Sequence, residues 1–210
     1  MSSIVVVGGG GHAKVVISIL RKLNRYRIIG YSDLKDNGTL LGAPYLGTDE
    51  ALSPSALNQT ECEAVLAVGQ VGFGTSRCEL WMRLRSLSLS FPFIVSPDAI
   101  VNEGVKVDGG VTVMDGAIVN SGATIGYGAI VNTHSIIEHD VILADWVHVA
   151  PGATVCGGVK VGRYSMIGAG ATVIEGLAIA EHCLVGAGST VVEDITEPGV
   201  YVGSPARRIR

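Results

Sequence analysis

The chain has 210 residues, of which 48% are hydrophobic and 16% charged, and its formal net charge is −4. This composition suits a globular protein of one large or two small domains and argues against intrinsic disorder and a nucleic-acid-binding surface. No apolar run approaches the roughly 18 residues of a membrane span, the N-terminus lacks signal-peptide features, and the four cysteines form no CxxC pair, so we expect a cytoplasmic protein with reduced thiols.

Residues 1–91 alternate short β-branched runs with helical patterns. "SIVVVG", "YRIIGYSD" and "EAVLAVG" predict three strands, and "TSRCELWMRLRSL" predicts an amphipathic helix after the third. "GHAKVVISILRKLN" predicts a helix between the first two strands, with one apolar side formed by Val15, Val16, Ile19, Leu20 and Leu23. This order predicts a small, Rossmann-like α/β domain with a parallel sheet over residues 1–91.

From Val95 the sequence follows a six-residue repeat. Seventeen consecutive hexads each begin with Val, Ile or Leu, the frame is unbroken to Thr196, and the fifth position is confined to Ala, Ser, Val, Leu, Cys or Ile. This pattern predicts a hexapeptide-repeat parallel β-helix over residues 92–210, ending in a short, solvated tail. Three hexads form one coil, so residues 18 apart stack. Glycine at the second and fourth positions is expected to permit corners with positive φ.

Three histidines fall in neighbouring hexads: His134 at a fourth position, His139 at a third and His148 at a sixth. None takes the inward first position, so none is a core residue by register. Zinc needs three or four converging ligands, whereas outward side chains on different faces diverge, so we predict no metal site within one chain. A general base fits better, because Asp140 or Glu138 could orient a neighbouring imidazole. No paired serine or cysteine nucleophile is evident, which favours direct attack by the acceptor.

Trp146 interrupts the glycines of the fourth position. By register its side chain points out of the β-helix. We expect it in a subunit contact or in the wall of an acceptor pocket.

The hexads with "EHD" and "HVAPGATVCGGVKVG" resemble the hexapeptide-repeat acyltransferases. The N-terminal "VVVGGGGHAKVV" and C-terminal "GVYVGSPARRIR" narrow the resemblance to nucleotide-sugar N-acetyltransferases and sialic acid O-acetyltransferases. The chain is most similar to enzymes that acetylate UDP-4-amino-4,6-dideoxysugars and to GDP-perosamine N-acetyltransferases. The resemblance implies left-handed winding, acetyl-CoA as co-substrate, and a homotrimer whose active sites are each shared by two subunits.

The resemblance also assigns roles to residues of the β-helix. It implies that His139 is the catalytic base, that Asp140 orients it, and that Asn132 lies near the acceptor. The Gly157 N–H becomes a candidate oxyanion donor. The residues implied for acetyl-CoA binding are His148, Gly157, Ala169 and Ala187, and the position of Arg207 after "GSPA" adds it as a candidate for the CoA phosphates. The role of His134 stays open.

The glycine-rich turn admits two interpretations. "GGGGHA" matches G-x-G-x-x-A between a strand and a helix, which is a weak dinucleotide fingerprint. The resemblance instead implies the diphosphate of a sugar nucleotide, and the physics is shared, because free N–H groups at a helix N-terminus attract phosphate. The expected nucleotide-sugar contacts are Gly10, Gly11 and His12 at the diphosphate, Ser32, Asp33 and Lys35 near the ribose or base, and Gly69 at the turn after the third strand.

The leading hypothesis is therefore transfer of acetyl from acetyl-CoA to the 4-amino group of a nucleotide-linked 4-amino-4,6-dideoxysugar, with UDP as the expected carrier. GDP-perosamine N-acetylation and sialic acid O-acetylation are the alternative reactions. A non-catalytic NAD(P)- or sugar-nucleotide-binding module is the alternative from another class.

Overall fold

A computed structural model describes residues 1–53, 55, 57 and 62–210. The N-terminal region contains β1 (Ser2–Val7), α1 (Gly11–Leu23), β2 (Tyr26–Ser32), a 3₁₀ turn (Asp49–Ala51), β3 (Glu63–Leu66) and α2 (Ser76–Ser86). Its three strands are parallel, in the order β2-β1-β3. The predicted small Rossmann-like sheet is confirmed.

The buried side of α1 differs from the predicted one. Ala13, Val16, Ile17 and Leu20 are buried and follow the i, i+3, i+4, i+7 spacing of one helical stripe. Val15 lies off that stripe and is 37% exposed, so its assignment to the buried side is wrong.

The helix α2 is less amphipathic than its sequence suggested. Only Arg77 and Leu84 are buried among its residues, while Leu80 and Trp81 are half-buried against the core beneath it. This helix therefore contributes a buried cation as well as apolar side chains.

The hexads form a parallel β-solenoid of short strands. Each strand from β5 to β20 includes the sixth residue of one hexad and the first of the next. The strands β4 to β20 are Ile94–Val95, Ile100–Val101, Lys106–Val107, Thr112–Val113, Ile118–Val119, Thr124–Ile125, Ile130–Val131, Ile136–Ile137, Ile142–Leu143, His148–Val149, Thr154–Val155, Lys160–Val161, Met166–Ile167, Thr172–Val173, Ala178–Ile179, Cys183–Val185 and Thr190–Val191.

Three parallel sheets run along the solenoid. The first sheet contains β4, β7, β10, β13, β16 and β19, the second β5, β8, β11, β14, β17 and β20, and the third β6, β9, β12, β15 and β18. Paired residues are 18 apart, as in Ile130 opposite His148, which confirms the predicted coil. We call the turns between the first and second sheets the first corner, between the second and third the second corner, and between the third and first the third corner.

The interior of the solenoid is filled as the repeat predicts. The first residues of the hexads from Val113 to Val191 are at most 3% exposed. Successive coils therefore bury one continuous apolar ladder, which no single coil could cover by itself.

The corners have positive φ at the fourth position of the hexad. From Gly104 to Gly188 the fourth residue of each hexad has φ between 54° and 78°, and five of these residues are not glycine: His134, Asp140, Trp146, Tyr164 and His182. A non-glycine residue in this conformation costs on the order of 1 kcal/mol, and such strain concentrates at functional sites.

The prediction of positive φ at second-position glycines is wrong. Gly126 and Gly162 have no positive φ, but a Cβ on Gly162 would lie 2.5 Å from the Glu181 nitrogen of the next coil. Glycine is used there for close backbone approach.

Residues 207–210 are exposed, as expected of a solvated tail, but the C-terminal residues are also paired with the solenoid. They form β21 (Gly199–Val202), parallel to β19, and β22 (Arg207–Arg208), antiparallel to β21, so both strands extend the first sheet.

Within the described residues, we find no helix with the length and apolarity that a bilayer span requires.

The N-terminal region contacts the solenoid at two of its corners. Lys22 Nζ at the end of α1 lies 2.7 Å from Asp98 and 2.6 Å from Asp115 at the first corner. At the third corner, Trp81 of α2 meets Trp146 edge-on, with ring centroids 5.6 Å apart. The second corner takes no part in these two contacts.

Candidate active site

His139 stands exposed at the second corner beside a carboxylate. Its Nδ1 lies 3.0 Å from Asp140 Oδ2. An ionised carboxylate only accepts hydrogen bonds, so Nδ1 carries the proton in this contact. The neutral ring then keeps its lone pair on Nε2, as a general base requires.

The space around this pair depends on glycines in the adjacent coils. A Cβ on Gly157 would lie 2.6 Å from His139 Nε2, and a Cβ on Gly122 would lie 2.5 Å from Asp140 Oδ1. The Gly157 N–H donates no hydrogen bond within the described chain. The corner thus brings together an imidazole with a free Nε2, a neighbouring carboxylate and an available N–H donor.

His148 belongs to a different group, buried between the solenoid and the N-terminal region. The Thr133 N–H donates to Asn132 Oδ1 at 2.8 Å, which orients the Asn132 amide so that Nδ2 faces His148 Nε2 at 3.0 Å. Nε2 is therefore the acceptor, and Nδ1 donates to the Gln70 carbonyl at 3.2 Å. These contacts define a neutral, Nδ1-protonated His148.

Burial stabilises this neutral form. The pKa of His148 is lowered to about 4, first by desolvation and then by the charges of Arg77 and His12. Both ring nitrogens are engaged within the chain, so the ring links Asn132 to the loop after β3. Its predicted contact with acetyl-CoA stays a prediction.

Arg77 is a buried cation in the same contact region between the solenoid and the N-terminal region. Its guanidinium lies 5.6 Å from the Trp146 ring centroid, and none of its three nitrogens has a hydrogen-bond partner among the described residues. Burial lowers its pKa to about 10, which leaves it charged at neutral pH. Desolvation and this charge lower the pKa of His12 to about 4.

The environment of Trp146 therefore differs from the one predicted from the sequence. It is 4% exposed and is covered by Arg77 and Trp81 of its own chain. Both sequence interpretations, a subunit contact and a pocket wall, are wrong, because register gives the direction of a side chain but not what covers it.

The glycine-rich turn leaves the start of α1 open. Gly10 precedes the helix in an extended conformation without a side-chain cap, and the first turn carries no acidic residue. No atom lies within 4 Å of a Cβ built on Gly10 or Gly11, and both line a cleft of about 470 Å³. Gly69 lies across the turn, with its Cβ position 3.7 Å from His12 Cβ. The unpaired N–H groups of such a helix start can receive an anion.

A second cleft, of about 370 Å³, adjoins the ends of β1 and β2. Ser32 and Asp33 line it, whereas Lys35 is exposed beyond Asp33. Asp33 Oδ2 accepts the Gly9 N–H at 2.6 Å and so ties this cleft to the glycine-rich turn.

The remaining predicted residues lie apart from His139 within one chain. Ala169 and Ala187 are exposed in successive coils of the first corner, where the Gly188 N–H donates to the Ala169 carbonyl. Arg207 forms an ion pair with Glu193, with both side chains exposed. A single chain therefore does not assemble the predicted acetyl-CoA set around His139.

Two features escaped the sequence interpretation. Gln70 and Arg77 are both part of the buried contact between the N-terminal region and the solenoid. Neither residue is marked by a motif, and an arginine in a surface helix ordinarily faces water. No group of three or more His, Cys, Asp or Glu residues suited to a metal is found in the described ranges.

Comparisons with known proteins agree with this architecture. Residues 3–72 match the family model for the PglD N-terminal domain. A mutant perosamine N-acetyltransferase from Caulobacter crescentus, solved with CoA and GDP-perosamine, is 34% identical with a TM-score of 0.92 over 100% of this chain and 98% of that one. The acetyltransferase domain of PglB from Neisseria gonorrhoeae FA1090, solved with acetyl coenzyme A, is 31% identical with a TM-score of 0.89 over 99% and 98%.

WeeI from Acinetobacter baumannii AYE shares the fold over the full length of both chains, at 23% identity and a TM-score of 0.87. The full-length similarity at 34% identity, the matching N-terminal domain and the unbroken hexads all agree. The chain belongs to the hexapeptide-repeat sugar N-acetyltransferases and is an acyltransferase.

Proposed function

We propose that this protein transfers the acetyl group of acetyl-CoA to the 4-amino group of a nucleotide-linked 4-amino-4,6-dideoxysugar. Two similar proteins support the substrates: the perosamine N-acetyltransferase was solved with CoA and GDP-perosamine, and the PglB domain with acetyl coenzyme A. The sequence favours UDP as the carrier, and GDP is the alternative.

His139 is the proposed base, and the observation that carries this assignment is its 3.0 Å contact with Asp140. As the amine attacks the thioester carbonyl, a C–N bond forms and His139 Nε2 takes the proton lost by nitrogen. The Gly157 N–H is the proposed donor to the oxyanion. The C–S bond then breaks, and the imidazolium returns its proton to the departing thiolate.

The glycine-rich turn is the proposed diphosphate site. Gly10, Gly11 and His12 stand at an uncapped helix start, and Gly10 and Gly11 line an open cleft there, where backbone N–H groups suit phosphate oxygens. The charges of the sugar nucleotide would be held there, while Ser32, Asp33 and Lys35 lie toward the ribose and base.

The active enzyme is proposed to be a homotrimer with shared sites. His139 lies at the second corner, whereas the N-terminal region contacts the first and third corners. A sugar held by one chain would then reach His139 of another, and the exposed first corner with Ala169 and Ala187 would supply the other wall of an acetyl-CoA groove. Positioning both substrates in this way lowers the entropic barrier.

Thiol release from acetyl-CoA tests the proposal. Wild type, His139→Ala and Asp140→Asn would be assayed against UDP- and GDP-linked 4-amino-4,6-dideoxysugars and free sialic acid. We expect turnover with an amino sugar and a loss of roughly 10²-fold or more in both variants. His182→Asn is the matched control, because His182 is another corner histidine and stacks on Tyr164 at 5.0 Å.

Each alternative outcome has a definite meaning. Turnover that survives in His139→Ala would remove His139 as base but keep the reaction. Turnover with sialic acid alone would replace N-acetylation by O-acetylation. Inactivity with every acceptor, in a folded protein, would contradict the proposed acceptor class.

A further inference from the structure

The 370 Å³ cleft beside the glycine-rich turn has apolar walls and one polar end. Val7, Val68 and Leu80 line it from the ends of β1 and β3 and from α2. Leu34, which also lines it, is 84% exposed. Apolar walls around a few placed polar groups are typical of small-molecule sites, and an open slot of this kind suits a planar ring.

The polar end is a carboxylate held in a fixed orientation. Ser32 Oγ donates to Asp49 Oδ1 at 2.8 Å, and Arg83 Nη2 donates to Asp49 Oδ2 at 2.8 Å. The Asp49 side chain is only 15% exposed, whereas that of Arg83 is 55% exposed. Each carboxylate oxygen can accept a further hydrogen bond, and Arg83 has donors left over.

We propose that the Asp49–Arg83 pair reads the nucleobase of the sugar nucleotide and selects guanine over uracil. This inference rests on the proposed function, because it assigns the base end of the same substrate whose diphosphate is proposed to lie at the glycine-rich turn. It selects GDP, the alternative carrier, in place of the UDP expected from the sequence. Neither residue belongs to the set suggested by sequence motifs.

The selectivity follows from the order of donors and acceptors on each base. Guanine presents O6, N1–H and the N2 amino group side by side, so its two donors match the carboxylate of Asp49 and its carbonyl matches the remaining donors of Arg83. Uracil presents one N–H between two carbonyls. A carboxylate that accepts this N–H faces a carbonyl oxygen as well, which is repulsive, and specific polar sites discriminate strongly on this basis.

The test is calorimetric binding of three nucleoside diphosphates to the intact protein: GDP, inosine diphosphate and UDP. Inosine diphosphate lacks only the 2-amino group. We expect wild type to bind GDP roughly tenfold or more tightly than either of the others, as suits a hydrogen bond to a charged group. Asp49→Asn should lose roughly tenfold or more in GDP affinity, and its ratio of GDP to inosine diphosphate affinity should fall toward one.

Glu50→Gln is the matched control, because it removes the same charge from the neighbouring residue, which does not line the cleft. It should preserve all three affinities. Tighter binding of UDP than GDP by wild type would overturn the inference without any variant, so a poorly folded Asp49→Asn would not weaken the test. An unchanged ratio in folded Asp49→Asn would also overturn it.

Acetyl transfer, measured separately, distinguishes the two proposals. UDP preference in an active enzyme would contradict only the assignment of guanine. GDP preference with no transfer to any amino sugar would contradict only the proposed function. Failure to bind any of the three nucleotides would overturn both.

Discussion

His139 and Gly157 lie 18 residues apart at the same corner, and the imidazole occupies the space where a side chain on Gly157 would begin. A Cβ there would lie 2.6 Å from Nε2, well inside van der Waals contact. Glycine at this third position is thus required by the ring below it, since Gly157 is absent from the residues with positive φ.

Gly157→Ala is therefore expected to displace the imidazole while leaving the coil intact. Because misplacement of a base by about 1 Å can cost on the order of 10²-fold, we expect kcat to fall by at least tenfold. Steady-state kinetics with circular dichroism would measure this. Gly74→Ala is the control, because a Cβ there meets no atom within 4 Å. Full activity of Gly157→Ala would show that the imidazole is not held against this glycine.

Asp140 and Trp146 occupy equivalent backbone positions with φ of 59° and 63°. Substitution by glycine should nevertheless have different effects on the free energy of unfolding at the two positions. Asp140→Gly removes an exposed side chain from a strained conformation, so the free energy of unfolding should stay unchanged or rise by up to about 1 kcal/mol. Its activity should nevertheless fall by roughly 10²-fold, because His139, the proposed base, loses the carboxylate proposed to orient it. Denaturant unfolding and thiol release measure the two effects.

Trp146→Gly also relieves backbone strain but removes a buried ring beneath Arg77 and Trp81. Loss of such a side chain costs about 3–5 kcal/mol, so the free energy of unfolding should fall. A stability equal to that of wild type would mean that the third corner contributes little to the contact between the two regions.

The buried histidine His148 predicts a stability that falls on acidification. Its pKa is about 4 in the folded protein against 6.5 for an unperturbed imidazole. Between these values the unfolded chain binds a proton that the folded chain excludes. The stability that neutral His148 contributes to the folded protein is therefore complete above pH 6.5. As the pH falls toward 4, this contribution is lost, and the free energy of unfolding decreases by up to about 3 kcal/mol.

Urea unfolding across pH 4–7 would measure this loss. His148→Gln should unfold with a shallower pH dependence than wild type, while His134→Gln, a change at an exposed histidine, is the control. An identical slope in wild type and His148→Gln would contradict burial of a neutral His148.

Removal of the Arg77 charge is expected to change the pKa of two imidazoles at once. Its charge lowers the pKa values of both His12 and His148, so Arg77→Met should raise both. The fold should survive, because the guanidinium has no hydrogen-bond partner in the described chain and Met preserves much of its packing. An NMR titration of the imidazole protons would report the change. Arg85→Met, which removes a cation stacked 4.9 Å from the Trp81 ring, is the control; unchanged pKa values in Arg77→Met would contradict the electrostatic link.

The sequence by itself determined the solenoid, because an inward Val, Ile or Leu every sixth residue specifies register without reference to anything outside the repeat. The same register showed that His139 and Asp140 are outward neighbours. The parallel order of the N-terminal strands also followed from local pattern, since each strand is followed by a crossover segment.

Only the tertiary structure decided what covers the outward side chains. Trp146 and His148 have outward positions in the repeat, as His139 does, yet both are buried, because α2 and the loop after β3 pack over that part of the solenoid. Asp49 and Arg83 are 34 residues apart and meet only when α2 folds across the sheet. A repeat specifies the direction in which each side chain points within its own coil. The burial of that side chain, its ionisation and its hydrogen-bond partners depend on contacts between distant segments, which no local pattern records.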